Sequence, residues 1–325
     1  MRSLDEELQE EYFDLGNAFY DAIFCRSADE TDELNSAEDE LYTKVTEILE
    51  ESDAVSQFVP VLPEQLLKFL DEVKKEETDF DKICEIVKGD LALAGETIRI
   101  ANSPIYRRAA GPIDSLDKAV GILGLRGVTE IALVLLMRRI LNVESNRFKN
   151  FGEGLWNHCL ECAEACRILS DESLDSFTCY LTGLVHDVGK VATFTCLCEQ
   201  LELADSQNID ECKVFKLVMT EHSTWLSALI AKEWALPESI ITALYDFDKL
   251  TMMSYLDYDA GDKSALAVVL EQGNSCSEIY TLINAQIVKA ETGVELLRGL
   301  GLSKEHIDQV LERYDLLQVE SGSVH

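Results

Sequence analysis

The sequence predicts an all-α protein, on three observations: apolar residues recur at helical spacing almost throughout, alternating runs long enough for strands are absent, and cap residues, prolines and glycines punctuate the periodic segments. With 325 residues, 47% of them hydrophobic, the chain can bury a substantial core. Leu4, Leu8, Tyr12, Leu15, Phe19 and Ile23 mark one face of a long opening helix, and Leu34, Leu41, Val45, Ile48 and Leu49 mark a second. Together they predict an acidic helical hairpin over residues 1–53. Its apolar stripe packs either on the body of the protein or on a second copy, so a homodimer is one expectation.

Val59-Pro60-Val61-Leu62-Pro63 interrupts the helical pattern and sets a boundary. Beyond it, helices are expected at about 63–76, 79–88, 91–102, 115–124 and 127–142, forming a smaller subdomain over 57–148. Ala109-Ala110-Gly111-Pro112 makes a turn, Asp114-Ser115 starts the next helix, and Gly121, Gly124 and Gly127 loosen the junction that follows. Asn102 and Ser103 close a helix before Pro104 and are expected to satisfy loose backbone groups. A second helical block fills 150–325. Trp156, Trp225 and Trp234 fall on apolar faces and are expected as core anchors.

The formal charge is −33, and residues 1–53 carry 18 acidic side chains against Arg2, Arg26 and Lys44. Such a surface opposes DNA, RNA and anionic lipid. No apolar run is long enough to span a bilayer and the start lacks a signal-peptide core, so a cytoplasmic location is expected. The ten cysteines therefore read as reduced thiols. Cys159, Cys162 and Cys166 share one helical stripe, which is core spacing, and no second CxxC completes a zinc ribbon.

Chemistry concentrates in Leu184-Val185-His186-Asp187-Val188-Gly189-Lys190. Adjacent imidazole and carboxylate donors suit a divalent ion able to polarise a phosphoryl oxygen or activate water. A basic group of Arg99, Arg107, Arg108, Arg126, Arg138 and Arg139, with Tyr106, has the chemistry for a nucleotide second messenger, and Arg107 and Arg108 are its candidate ligand-binding residues. The alternative is that these arginines pair with Asp90, Glu96 and Asp117 nearby.

Several segments resemble the HD-related output domain (HDOD) family of bacterial signalling proteins. They are Leu62-Pro63, Asp90-Leu91-Ala92-Leu93-Ala94, Ile98-Arg99-Ile100-Ala101-Asn102-Ser103, Ile113 to Val120 with Leu123-Gly124-Leu125, and Trp234-Ala235-Leu236-Pro237. The resemblance implies a multi-helical HD-type bundle preceded by a smaller helical subdomain, related to the HD metal-dependent phosphohydrolases and used as an output or adaptor module in signal transduction. Carried over residue by residue, it implies His158, His186 and Asp187 as metal ligands and Lys190 as the group that reaches a phosphate.

Later positions depart from the pattern. Where phosphohydrolase-like members carry a histidine, this chain has Ser223, with His222 about 100° away around the helix. A common histidine pair is replaced by Tyr245-Asp246-Phe247-Asp248, and Leu266 to Gln272 offers no aspartate for the last ligand. Asp246, Asp248, Glu221 and Glu271 are the carboxylates available to substitute, and their spacing singles out none. The expectation is a degenerate site without a cofactor, in a module that binds a signalling protein. The alternative is a Mn, Fe, Zn or Mg enzyme hydrolysing a nucleotide or cyclic dinucleotide. A third reading keeps such a nucleotide bound and uncleaved.

Overall fold

The computed structural model describes residues 14–24, 33–51, 56–73, 80–102, 113–141, 151–203, 209–252 and 263–316. Among these residues there are fourteen α-helices, one 3-10 turn at Ser56–Phe58 and no strand. The chain divides into two compact units, Met1–Val59 with Val143–His325, and Pro60–Asn142.

The larger unit begins with α1 (Leu15–Phe24) and α2 (Ser36–Glu50). Asn35 caps α2 by accepting from Ala37 and Glu38 N–H, while the Glu38 carboxylate accepts from Asn35 N–H, so two of the helix's loose donors are satisfied reciprocally. The described part of the apolar stripe faces inward. Phe19, Tyr20, Ile23, Leu41, Val45 and Leu49 are buried against later helices of the same unit. The expected positions Leu4, Leu8 and Tyr12 lie outside the described residues.

The smaller unit contains α3 (Glu64–Val73), α4 (Phe80–Lys88), α5 (Leu91–Ala101) and α6 (Leu116–Leu141). Asp90 caps α5 through Ala92 and Leu93 N–H. At its other end Asn102 donates to Ile98 and Ile113 carbonyls and accepts from Ile113 N–H, as expected for a residue that satisfies loose backbone groups. Gly124, at φ 70° and ψ 172°, breaks α6 into two arms near the junction the glycines predict, because that left-handed conformation strains any residue with a Cβ. The arginines here are committed: Arg139 to Asp90 at 2.6 Å, Arg99 to Glu96 at 2.8 Å and Arg126 to Glu130 at 3.0 Å. Asp117 pairs with Lys88 at 2.9 Å instead of an arginine. Arg107 and Arg108 lie outside the described residues, as does Ser103.

The larger unit continues with α7 (Phe151–Leu169), α8 (Ser176–Val185), α9 (Val188–Leu203), α10 (Glu211–Glu233), α11 (Glu238–Met252), α12 (Ala265–Asn284), α13 (Ala290–Gly299) and α14 (Lys304–Arg313). Phe151 stacks on Phe194 at 4.3 Å and on Phe24 at 5.5 Å, and Phe215 meets Phe194 edge-on at 5.3 Å, tying α1, α7, α9 and α10 together. Each such ring buries enough apolar area to stabilise the fold by roughly 1.5–3 kcal/mol. A second cluster joins α7, α12, α13 and α14 through Cys276, Leu297, Leu311 and Tyr314. Cys159, Cys162 and Cys166 are fully buried, and burial drives the Cys159 and Cys162 thiols well above their ordinary pKa, so they serve as small core hydrophobes. Trp156 and Trp234 are buried as expected, whereas Trp225 is only half-buried. No single helix among the described residues is long and apolar enough to cross a membrane.

Candidate metal centre

α8 ends at Val185 and α9 begins at Val188, so His186 and Asp187 form the corner between two buried helices. The corner is fixed by Lys190 N–H donating to Asp187 O at 3.0 Å and Gly189 N–H donating to Ser227 Oγ at 2.9 Å. α7 packs along α8 and delivers His158 to the same point. The three side chains are 0–2% exposed or nearly so, with His158 at 1%.

Their donor atoms form a tight triangle. His158 Nε2 lies 3.2 Å from His186 Nε2 and 3.1 Å from Asp187 Oδ2, and the third side, His186 Nε2 to Asp187 Oδ2, is 3.4 Å. Ligand atoms bound at about 2.0–2.2 Å around a tetrahedral ion stand at about this separation from one another.

The protonation pattern follows from the outer partners. His186 Nδ1 sits 2.7 Å from the Gly183 carbonyl, which can only accept, so the proton is on Nδ1. Ser277 Oγ stands 2.8 Å from His158 Nδ1 and 3.0 Å from the Asn274 carbonyl, so it orients the His158 ring. Burial pushes His158 down to about 4 and lowers His186 as well, so both rings are neutral. His158 Nε2, 3.1 Å from Asp187 Oδ2, is also within hydrogen-bond reach of that carboxylate, a contact that favours its charged form. The two ring nitrogens and the carboxylate converge on a point that suits either that hydrogen bond or a cation.

Asn274 on α12 completes the convergence. Its Oδ1 lies 3.0 Å from His186 Nε2, and its amide nitrogen serves Glu278. Spacing does not single it out, because it lies two residues beyond the Leu266–Gln272 segment in which the last ligand was expected and is an amide instead of an aspartate. The available signal was a polar notch on an apolar helix: Asn274, Ser277 and Glu278 at i, i+3 and i+4.

Lys190 places its ammonium 2.6 Å from Asp187 Oδ2 and about 5 Å from the ring centroids of Phe19 (4.9 Å) and Tyr20 (5.0 Å). Burial opposes both charges of this pair. The ammonium of Lys190 nevertheless holds Asp187 below the usual carboxylate range, and Asp187 in turn raises Lys190 above the usual lysine value. Glu278, 8% exposed, is pushed up to about 7 by burial, against the pull of Lys190 and Asn274.

The remaining candidates are engaged elsewhere. His222 Nε2 is 3.2 Å from Thr46 Oγ1 on α2, while Ser223 Oγ donates to the Met219 carbonyl at 2.6 Å and stands 3.4 Å from the Tyr20 hydroxyl. Asp246 accepts from Lys249 and from Ser264 N–H, Asp248 accepts from Thr224, and Glu221 accepts from Tyr42. Glu271 lies on the wall of a cleft of about 790 Å³ that reaches Asp187, Lys190 and Asn274. Asp14, Glu278 and Glu295 also line that cleft, and Lys190 is its only base among the described residues.

The HDOD domain family model matches residues 59–248, more than half of the chain. Solved structures share the fold at low identity. An inferred metal-dependent phosphohydrolase from Shewanella amazonensis SB2B is 19% identical at a TM-score of 0.59, covering 88% of this chain and 99% of that one. An inferred signal transduction protein from Marinobacter aquaeolei VT8 is 20% identical at 0.54, over 91% and 68%. An HDOD domain protein of unknown function from Geobacter sulfurreducens is 21% identical at 0.53, over 86% and 94%. Comparison with curated proteins gave no match. The match over the all-helical body, with the His and Asp corner inside it, makes this chain a member of the HDOD family.

Proposed function

We propose that the chain is a signal-transduction output or adaptor module that acts by binding a partner, and that its His and Asp centre holds a divalent metal for structure and not for hydrolysis. His158, His186, Asp187 and Asn274 would hold the ion, a two-nitrogen, two-oxygen set suited to Zn, Mn or Fe. A metal there supplies Lewis acidity and lowers the pKa of a bound water. A bound ion would draw together the side chains that α7, the α8–α9 corner and α12 bring to this point.

The observation that carries the non-catalytic reading is the electrostatics of the approach. A phosphate ester entering the cleft meets Asp14, Glu271 and Glu295, and Lys190, the one base on its wall among the described residues, is already committed to Asp187 at 2.6 Å. Such a wall repels an anion. The competing reading, a metal-dependent phosphohydrolase of a nucleotide or cyclic dinucleotide, draws support from the four-donor set and from Lys190 standing beside it.

The test is turnover of bis(p-nitrophenyl) phosphate, p-nitrophenyl phosphate and a cyclic dinucleotide by protein loaded separately with Zn, Mn and Fe. Stoichiometric metal with rates no higher than those of His186→Ala supports the module. Metal-dependent turnover abolished by both His186→Ala and Lys190→Met would overturn it in favour of the enzyme.

A further inference from the structure

The cleft beside the centre carries carboxylates that hold no part of the metal site. Glu271 and Glu278 both line it from α12, seven residues and so about 10 Å apart along one helix face. Glu295 on α13 and Asp14 just before α1 line it as well. All four lie outside the HDOD-matched stretch of 59–248, so the family match does not account for this charge. Asp14 is engaged by Asn17, whose backbone and side-chain N–H groups donate to it at 3.0 and 2.9 Å. Glu271 and Glu295 form no ion pair among the described residues. Glu278 is 8% exposed, and among the described residues its carboxyl is met by the neutral amide of Asn274 and paired with no base. A buried carboxyl without a cationic partner is costly.

These carboxylates do not gather on one metal ion, because the only described group of three or more donor atoms within 4.8 Å of one another is His158, His186 and Asp187. The rest of the wall includes Leu15, Phe247, Leu250, Ile279 and Leu296, and the cleft, at about 790 Å³, is of the size that takes a small molecule. We propose that the cleft binds an aliphatic polyamine, with one ammonium group on Glu278 at the buried end, another between Glu271 and Glu295 at the open end, and the methylenes against the apolar wall. An ammonium donates three hydrogen bonds, and charge-assisted bonds to carboxylates are the strong ones. The site needs neither metal nor turnover at the centre, so its failure would leave the hydrolysis assays as they stand.

Isothermal titration calorimetry of the metal-free, full-length chain with spermidine tests the site at about pH 8, in salt of about 0.15 M that screens diffuse attraction to a chain of formal charge −33. One saturable site per chain is expected. Glu278→Gln should weaken it by about tenfold or more, and the double variant Glu271→Gln, Glu295→Gln by about tenfold. The control Glu305→Gln, Glu312→Gln removes the same charge from exposed positions on α14 outside the cleft and should leave affinity within about twofold. Uptake without a single saturable site, or equal weakening by the control, overturns the site. Trilysine binding more tightly than spermidine overturns the free amine in favour of a basic protein segment. Should Glu278→Gln fail to fold, the variant at the less buried Glu271 and Glu295 decides alone.

Discussion

Gly183→Ala isolates the closeness on which the centre depends. A Cβ at this position would lie 2.7 Å from Ala163 Cα and 2.9 Å from both Ala163 N and Cys162 O. These are backbone atoms of α7 and cannot rotate aside. Carbon atoms rest at about 3.5–4.0 Å, so α7 and α8 must separate by roughly 1 Å. Overpacking of this kind costs about 1–3 kcal/mol, and the upper end applies because backbone has to move. For a unit of this size that corresponds to a fall in Tm of about 6–12 °C. The same displacement carries His158 away from His186, whereas metal–ligand distances tolerate only about 0.2 Å, so Zn affinity should fall by at least about tenfold. Calorimetry of the metal-free protein and Zn titration of wild type and variant measure the two effects separately. A Tm within about 2 °C of wild type, together with unchanged Zn affinity, would refute the claim that this helix crossing sets the geometry of the centre.

Gly95→Ala in α5, where an added Cβ meets nothing within 4 Å, should stabilise its unit by about 0.5–1 kcal/mol in urea melts, because alanine restricts the unfolded chain more than glycine does. Asn274→Ala should lower Zn affinity by about tenfold or more in competition with a chelator while leaving far-UV circular dichroism unchanged. Glu38 is 2% exposed and accepts from Asn35 N–H, Asp210 N–H and Lys213, which together outweigh burial and depress its pKa. Its contribution is therefore complete above the ordinary glutamate value of about 4.3 and drains away as pH falls through the lower native value. Glu38→Ala, which strands Lys213, should cost about 3 kcal/mol at pH 7 in denaturant unfolding, and the difference from wild type should shrink at the acid end of the range. A constant difference down to the lowest folded pH would count against the ion pair as its source.

Helical periodicity, cap residues and punctuating glycines were enough to specify an all-α chain, the break near Gly124 and the role of Asn102, because those features depend on residues within a few turns of one another. The His186 and Asp187 corner was legible for the same reason, and His158 through family likeness. What the opening stripe packs against was not legible, since an apolar face specifies only that it be buried. Tertiary structure placed it on α7, α9, α10 and α12 of its own unit. Asn274 was missed because it joins the centre across 88 residues of chain, and its ligand-like orientation depends on Glu278 and His186 meeting it in space. The His186 tautomer, too, was decided only by folding: the Gly183 carbonyl holds the proton on Nδ1, and no linear spacing encodes which nitrogen carries it.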